Sequence, residues 1–367
     1  MEAEHTEQGN TAGLGSTYEI CVPKSEGRAL RRYALQGVAR RLLPEHRVGV
    51  CCRTLKPDAL AVQVLLDVAH GKAHYGGLMR CGSVWVCPVC GSAVTERRAN
   101  ELRDGLARHP ELKPVMVTVT LQHRRGDSLA GLLKALKEGM RFARSGRGWE
   151  GVKRGSGVVG SVTATEVTYS HRAGWHPHEH ILFLCLGDVD VEGLRAFIAD
   201  RFGAYLQREG RYVSAEYGVQ AVAGDSAAAS YLSKWDTAAE LAKGNVKAVR
   251  SDGGMSPMML LARAGDGDEL AGRLFVEYAE ALHGKRLLTY TKGLRDLLGM
   301  NEDKTDEEVA EQEVAPAVVL ASLTPVQWRY VLANDARGEL LDVASAGDSA
   351  ALWAWLSRLW PDDEGAR

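Results

Sequence analysis

The stretch VVGSVTATEVTYSHRAGWHPHEHILFLCL (158–186) decides how the chain is read. Its first part, residues 158–170, is rich in β-branched residues and predicts a strand. A short turn, HRAGW, leads into a second strand over 176–186. Within that strand His176, His178 and His180 recur at a spacing of two. Residues at that spacing project from one face of a strand, so the three imidazoles can converge on one point. Neutral imidazoles are common metal ligands, and the apolar run ILFLCL behind them would hold them rigidly. Glu166 lies in the preceding strand. If the two strands pair as a hairpin turning near 172 or 173, Glu166 is expected opposite 179 or 180. Two histidines and one carboxylate with open positions suit a divalent cation that polarises a phosphate or a carbonyl. The plainer alternative is that the histidines cap a buried strand through hydrogen bonds.

Outward from this hairpin, KPVMVTVTLQH (113–123) predicts another strand, and residues 127–145 an amphipathic helix opened by Asp127 and Ser128. A glycine-rich, basic loop is expected over 145–157. Helices are expected over 191–208 and 226–243, with a β-like stretch around 211–223 between them. Residues 28–43 and 92–109 also read as helices, as does most of 256–300 around a Gly/Asp turn. The run NEDKTDEEVAEQE (301–313) reads as an acidic linker, and 324–360 as a tryptophan-rich helical segment. Trp353 and Trp355 in that segment are of a type more often found in cores than at partner sites. The order of elements implies an α+β protein with a mainly antiparallel sheet.

At 367 residues, two or three compact units are expected. No apolar run approaches the roughly 20 residues of a membrane helix, so no membrane partner is expected. The polar, acidic start MEAEHTEQGNTAGLGS is no secretory signal and reads as a disordered tail, which makes a cytoplasmic location the default. There the seven cysteines should stay reduced, so a cluster of them points to metal rather than to disulfides. A net charge of −2 gives no global sign of nucleic-acid binding, although Arg28, Arg31, Arg32, Arg40, Arg41 and Arg47 make one segment basic.

Cys81, Cys87 and Cys90 occur in CGSVWVCPVC (81–90). Two thiolates one turn apart can share a tetrahedral zinc ion, and a closed four-ligand site would be structural. Cys51, Cys52 and His74 are available as the fourth ligand, while Cys21 and Cys185 look unattached. In SYLSKW (230–235), Tyr231 and Lys234 lie three apart, hence on one helical face. Alone, such a pair is weak evidence, because a phenol of pKa near 10 is a poor nucleophile without help from a cation, base or metal.

HPHEH followed by ILFL resembles the HUH motif of rolling-circle endonucleases, in which two histidines flank a bulky apolar residue. The resemblance assigns His178 and His180 to the pair, and Glu179 departs from the pattern. Glu179 should point to the opposite face and must find solvent or a partner there. EVTYS…GWHPHEH is similar to the stretch of the plasmid replication initiators that carries the carboxylate ligand, which supports Glu166. MVTVTLQH (116–123) resembles their first motif, a strand with paired threonines. The segment 73–102 is similar to the one that precedes their nuclease core, and RVGVCCR (47–53) favours Cys52 beside Cys81, Cys87 and Cys90 as zinc ligands. Residues 255–295 are similar to the family's C-terminal section, where Lys285, Arg286, Lys292 and Arg295 are candidates for phosphate contact.

The resemblance implies Tyr231 as the nucleophile and Lys234 as the group that steadies the phenolate or grips the phosphate, with Tyr169, Tyr212, Tyr217 and Tyr290 as fallbacks. Some initiators carry a glutamate four residues before the tyrosine; here Ala227 stands there, with Asp225 and Asp236 nearby. The fold implied is an HUH core with a central antiparallel sheet flanked by helices, after a small zinc-binding segment and before helical C-terminal segments. The expected organisation is a tail (1–24), a basic and zinc-knuckle segment (25–110), a nuclease core (111–247), a helical extension (248–300), a linker (301–318) and a final helical segment (319–361).

The activity implied is nicking of single-stranded or hairpin origin DNA with Mg²⁺ or Mn²⁺, giving a 5′-phosphotyrosine and a 3′-hydroxyl for rolling-circle synthesis. Strand rejoining would be the reverse reaction. No phosphate-binding G-x-x-x-x-G-K-[ST] motif occurs, so a host helicase and polymerase are the expected partners. The alternatives are a single-tyrosine transposase or relaxase, and a non-catalytic zinc-dependent DNA-binding regulator.

Overall fold

The computed structural model describes residues 28–224, 254–300, 303–312 and 316–360. At its centre β4 (Val158–Ser170) and β5 (Gly174–Cys185) form a long antiparallel hairpin, as the sequence pattern predicts. Gly174, at φ +82°, closes the turn. Any Cβ there would stand 3.1 Å from the Arg125 Cα and 3.2 Å from the Arg124 carbonyl oxygen, so only glycine allows the hairpin to approach that loop. The tight turn centres the pairing on residue 172 and sets Glu166 opposite His178, not opposite 179 or 180.

On the other side of β5 runs β3 (Lys113–Thr120), with Thr118 opposite His180 and Thr120 opposite His178. The sheet is completed by β6 (Val219–Ala223) beside β3 and β7 (Leu288–Tyr290) beside β4, in the order β6-β3-β5-β4-β7, every pair antiparallel.

The sheet's two faces have different covers. Helix α3 (Leu129–Ala143) is opened by the Ser128 hydroxyl on the Gly131 N–H, and α5 (Val191–Arg208) by the Asp190 carboxylate on the Gly193 N–H. The two pack closely at Gly139, where a Cβ would strike the Phe202 ring. Residues 146–155 were expected in a loop but form α4 (Gly146–Gly155), despite four glycines. Trp149 accounts for the difference: its ring packs against Phe183 of β5 at 5.9 Å and Phe197 of α5 at 6.3 Å, and this burial outweighs the weak helix propensity. Over the opposite face, Leu294 lies against Gly160 at the far end of the hairpin from the histidines.

The segments before and after this sheet fold together. A second sheet has the order β2-β1-β8, built from β1 (Val62–Asp67), β2 (Lys72–Gly76) and β8 (Ala317–Leu323). Helix α1 (Arg28–Leu42) meets a helix near the C-terminal end, Arg337–Ala344, whose Asp342 carboxylate accepts from the Ala29 and Leu30 N–H groups. Trp328 donates from Nε1 to the Arg53 carbonyl at 2.7 Å and packs edge-on to Tyr75.

The acidic run was expected to be a linker. Its described residues instead include a docked helix, Asp306–Glu311, closed by a capping box between Thr305 and Glu308. Asp306 pairs with Arg98 at 3.2 Å and accepts from the Leu287 N–H, which removes it from any role as a solvated spacer. Residues 317 and 318, also assigned to the linker, belong to β8. Trp353 is 39% exposed and so is not a core residue, whereas Trp328 is buried. Among the described residues no helix is long and apolar enough to cross a membrane.

A Cβ on Gly338 would run into the Leu30 Cα, so α1 and its C-terminal partner must separate to admit one. Gly338→Ala is expected to lower stability by about 1–3 kcal/mol in urea unfolding. Gly151→Ala, where nothing lies within 4 Å, is expected to raise it by about 0.5–1 kcal/mol.

Candidate metal centres

At the turn end of the hairpin, Glu166, His178 and His180 bring their ligand atoms within 4.8 Å of one another. The Glu166 Oε2 lies 3.0 Å from His178 Nε2 and 2.8 Å from His180 Nε2. The common face follows from register, because Glu166 opposes His178 and Ala164 opposes His180, so the small Ala164 leaves room for the Glu166 carboxylate to reach both rings. Burial alone would raise the Glu166 carboxyl. Hydrogen bonds from His178 and His180 and their positive charge outweigh it and hold the group well below the usual carboxylate range.

The paired threonines of β3 support this face. Thr118 Oγ1 lies 3.0 Å from His180 Nδ1, which leaves Nε2 directed at Glu166. Thr120 Oγ1 lies 3.0 Å from His176 Nε2. His176 was expected to converge with the other two histidines, but it is not part of the group of ligand atoms; its ring lies 4.8 Å from His123 and edge-on to His178 at 5.0 Å. Two nitrogens and one carboxylate oxygen, with one ligand nitrogen set by an outer hydrogen bond, suit a divalent cation that keeps open coordination positions.

Glu179 lies on the reverse face, as its alternation requires, and is buried there. Burial pushes its carboxyl up, against the pull of Arg144, Lys137 and Lys285, and its Oε2 has no hydrogen-bond partner.

The second group is Cys51, Cys81, Cys87 and Cys90, all buried. Cys87 caps helix α2 (Pro88–Ala107), and Cys90 stands in its first turn, donating its N–H to the Cys87 sulfur. The Cys51 sulfur lies 3.4 Å from Cys90 and 3.7 Å from Cys87, and Cys81 lies 3.7 Å from Cys90. Four sulfurs at 2.3 Å from a tetrahedral ion stand about 3.8 Å apart, so this cluster has the dimensions of a zinc site.

The group contains Cys51 and not its neighbour Cys52, which was expected as the fourth ligand. Cys52 adopts a left-handed φ of +52°, and its sulfur lies 3.8 Å from that of Cys51 and takes a hydrogen bond from Arg80 at 3.1 Å. Hydrogen bonding from Cys51, helped by the Arg80 charge, lowers the Cys52 thiol to about 7 against the opposing effect of burial. His74 on β2 is not part of the group. Gln36 of α1 donates to the Cys87 sulfur and accepts from Arg337, so the helix pair described above forms the outer shell of the cysteine cluster.

Tyr231, Lys234, Ala227, Asp225, Asp236 and Cys21 lie outside the described residues. Cys185 is buried in β5, apart from the cluster. Of the fallback tyrosines, Tyr169 is buried, and burial pushes the Tyr290 hydroxyl well up; Tyr212 and Tyr217 are exposed. Of the basic residues proposed for phosphate contact, Arg295 is buried and paired with Glu101, and Arg286 is paired with Asp303.

Purified protein is expected to hold about one zinc ion per chain at the cysteine cluster. Cys51→Ser should lower the zinc content measured by mass spectrometry, and Cys52→Ser should retain it. At the histidine site, Thr118→Val keeps the shape of the side chain but removes the partner of His180 Nδ1. It is expected to weaken Mn²⁺ binding about 10–100-fold in calorimetric titration.

No family model matches the chain, and no solved structure matches it. Among curated proteins, it is 27% identical over 322 residues to Protein rep of Streptomyces lividans, an alignment covering 68% of this chain and 70% of that one. It is 30% identical over 162 residues to Neomycin resistance protein of Streptomyces cyanogenus, covering 37% of each. With its antiparallel sheet and two groups of residues that could hold a metal, the chain is a homologue of Protein rep, consistent with a plasmid Rep protein.

Proposed function

We propose that the protein initiates plasmid replication by nicking single-stranded origin DNA through a transient tyrosine adduct. The observation that carries this reading is the convergence of Glu166 Oε2, His178 Nε2 and His180 Nε2 on one face of the central hairpin, in a homologue of Protein rep. Mg²⁺ or Mn²⁺ held by these three atoms would withdraw charge from a phosphate oxygen and make its phosphorus more electrophilic.

Tyr231 is the nucleophile in this scheme. Its Oη forms a bond to phosphorus while the bond from phosphorus to the 3′ oxygen breaks. The phenolic proton is lost, and the departing 3′ oxygen gains one, so the products are a 5′-phosphotyrosine and a free 3′-hydroxyl. Lys234 offsets the phenolate charge or the phosphate charge. The number of phosphoester bonds is unchanged, so the 3′-hydroxyl can attack the adduct and rejoin the strand. Described backbone supports the nucleophile's assignment. Gly224 directly follows β6, and Met255 exchanges backbone hydrogen bonds with Tyr169, three residues along β4 from Glu166. Residues 225–253, which carry Tyr231, thus connect two points of the sheet that bears the histidines.

A zinc-dependent regulator without catalysis would account for the cysteine cluster but gives Glu166, His178 and His180 no work. The two readings separate when protein is mixed with single-stranded DNA from its own replicon origin, with Mn²⁺ or with EDTA. A covalent adduct that survives a denaturing gel, forms only with metal and is lost in Tyr231→Phe, while that variant still binds DNA, is the expected result. Adduct persisting in Tyr231→Phe would reject this nucleophile. Tight binding with no adduct from the wild-type protein would favour the regulator, and a preference for mobile-element ends would favour a transposase or relaxase.

A further inference from the structure

Beside the histidine stack lies an open cleft of about 660 Å³, and Thr120, which touches His176, forms part of its wall. His123, Arg124, Arg211 and Tyr212 also line it. Its size is in the range of sites that bury a small organic group such as a nucleotide.

The cleft is built on fixed backbone. The Gln122 N–H donates to the Tyr212 carbonyl at 2.9 Å, and the Thr120 N–H to the Gly218 carbonyl at 2.9 Å, so the loop joining α5 to β6 is fastened to the end of β3 at two points. His123 Nδ1 lies 3.0 Å from the Ala173 carbonyl oxygen, which ties the other wall to the hairpin turn. Two carboxylates also line the cleft, Asp127 and Glu209. Asp127 is engaged, accepting from the Arg124 N–H at 2.9 Å and facing Arg211 at 3.8 Å.

Tyr212 is 61% exposed, an unusual setting for a large ring on backbone held this firmly. An exposed aromatic ring beside two arginines has the elements of a single-strand platform, where the ring stacks a base and the guanidinium groups take the flanking phosphates. A duplex keeps its base faces covered and cannot use such a ring.

We infer that this cleft is the subsite for an unpaired nucleotide next to the phosphate at the metal centre, with Tyr212 as its stacking platform and Arg124 and Arg211 as its phosphate grips. The inference rests on the nicking reading for its position in the reaction, and on the cleft alone for binding. Tyr212 is a binding residue here, and its hydroxyl has no part in the chemistry.

The test is fluorescence anisotropy in EDTA with a labelled mixed-sequence single-stranded 20-mer, and with the same strand annealed to its complement. Tyr212→Ala is expected to weaken single-strand binding roughly tenfold. Tyr212→Phe, which keeps the ring, should bind within about twofold of wild type and still form adduct with Mn²⁺, which a nucleophilic Tyr212 would forbid. Arg211→Gln should lower the slope of log affinity against log salt by about 0.7. Because Tyr212 is exposed, an unchanged melting temperature will accompany these losses. Binding by Tyr212→Ala equal to wild type, or an equal loss for the duplex, overturns the subsite; a wild-type adduct formed in parallel on origin DNA with Mn²⁺ would leave the nicking reading standing. Loss of binding in Tyr212→Ala with no adduct from wild type would support the subsite and reject the nicking reading.

Discussion

The candidate metal face depends on the pairing of β4 with β5, which sets Glu166 opposite His178. Side chains alternate along a strand, so a slip of one residue moves a whole set of groups to the other face. Such a slip in β4 would replace Glu166 with Thr165 or Val167 beside the histidines and bury the carboxylate among the apolar side chains under α3. Two features oppose it. The turn at Gly174 has a left-handed backbone pressed against the loop at Arg124 and Arg125, which leaves no slack for an added or lost residue. On the far side of β5, the threonines of β3 engage His176 and His180 directly, so the register of three strands is fixed by polar contacts as well as by the apolar pattern.

The cysteine cluster is tied to this sheet through helix α2. Its first turn holds Cys87 and Cys90, while Gly105 near its other end packs against Leu298 and Met300, just beyond β7. Midway, Arg98 pairs with Asp306, and Glu101 pairs with Arg295, whose guanidinium lies over the Tyr290 ring of β7 at 5.0 Å. Any metal in the cluster would therefore stiffen a helix that also braces the edge of the sheet bearing the histidines. The chain's two outer segments enclose that cluster together, through Gln36, Arg337 and the carbonyl of Cys52. They contribute to one shell although they are some 300 positions apart, so neither is a free appendage.

The central hairpin and α5 were legible because their patterns are long and locally consistent: β4 matches the expected 158–170 and α5 the expected 191–208. What escaped depends on contacts distant in sequence. Leu288–Tyr290 is three residues long and is a strand only because β4 offers an edge. The strands β1 and β8 pair across about 250 residues, and no local signal connects them. Glycines at 146, 148, 151 and 155 argued for a loop, and Trp149 decided otherwise by burying its ring. Cysteine spacing identified three of the four clustered sulfurs, yet it could not choose between adjacent Cys51 and Cys52, since Arg80, distant in sequence, engages the Cys52 sulfur. The threonines at 118 and 120 were visible as a pair at strand spacing; their role as supports for the histidines needed the neighbouring strand.

Glu179 tests how far the ligand geometry depends on the identity of the residue between the histidines. A bulky apolar side chain would fill the space beneath α3 with no polar atom to satisfy; the glutamate leaves one oxygen without a partner, which costs about 1–3 kcal/mol. Arg144 and Lys137 lie close enough to offset part of that cost electrostatically. None of this reaches the ligands, because the pleat directs Glu179 away from His178 and His180 and the strand backbone separates the two sets. The cost therefore falls on the core beneath the sheet, while the rings above stay governed by Thr118 and Glu166.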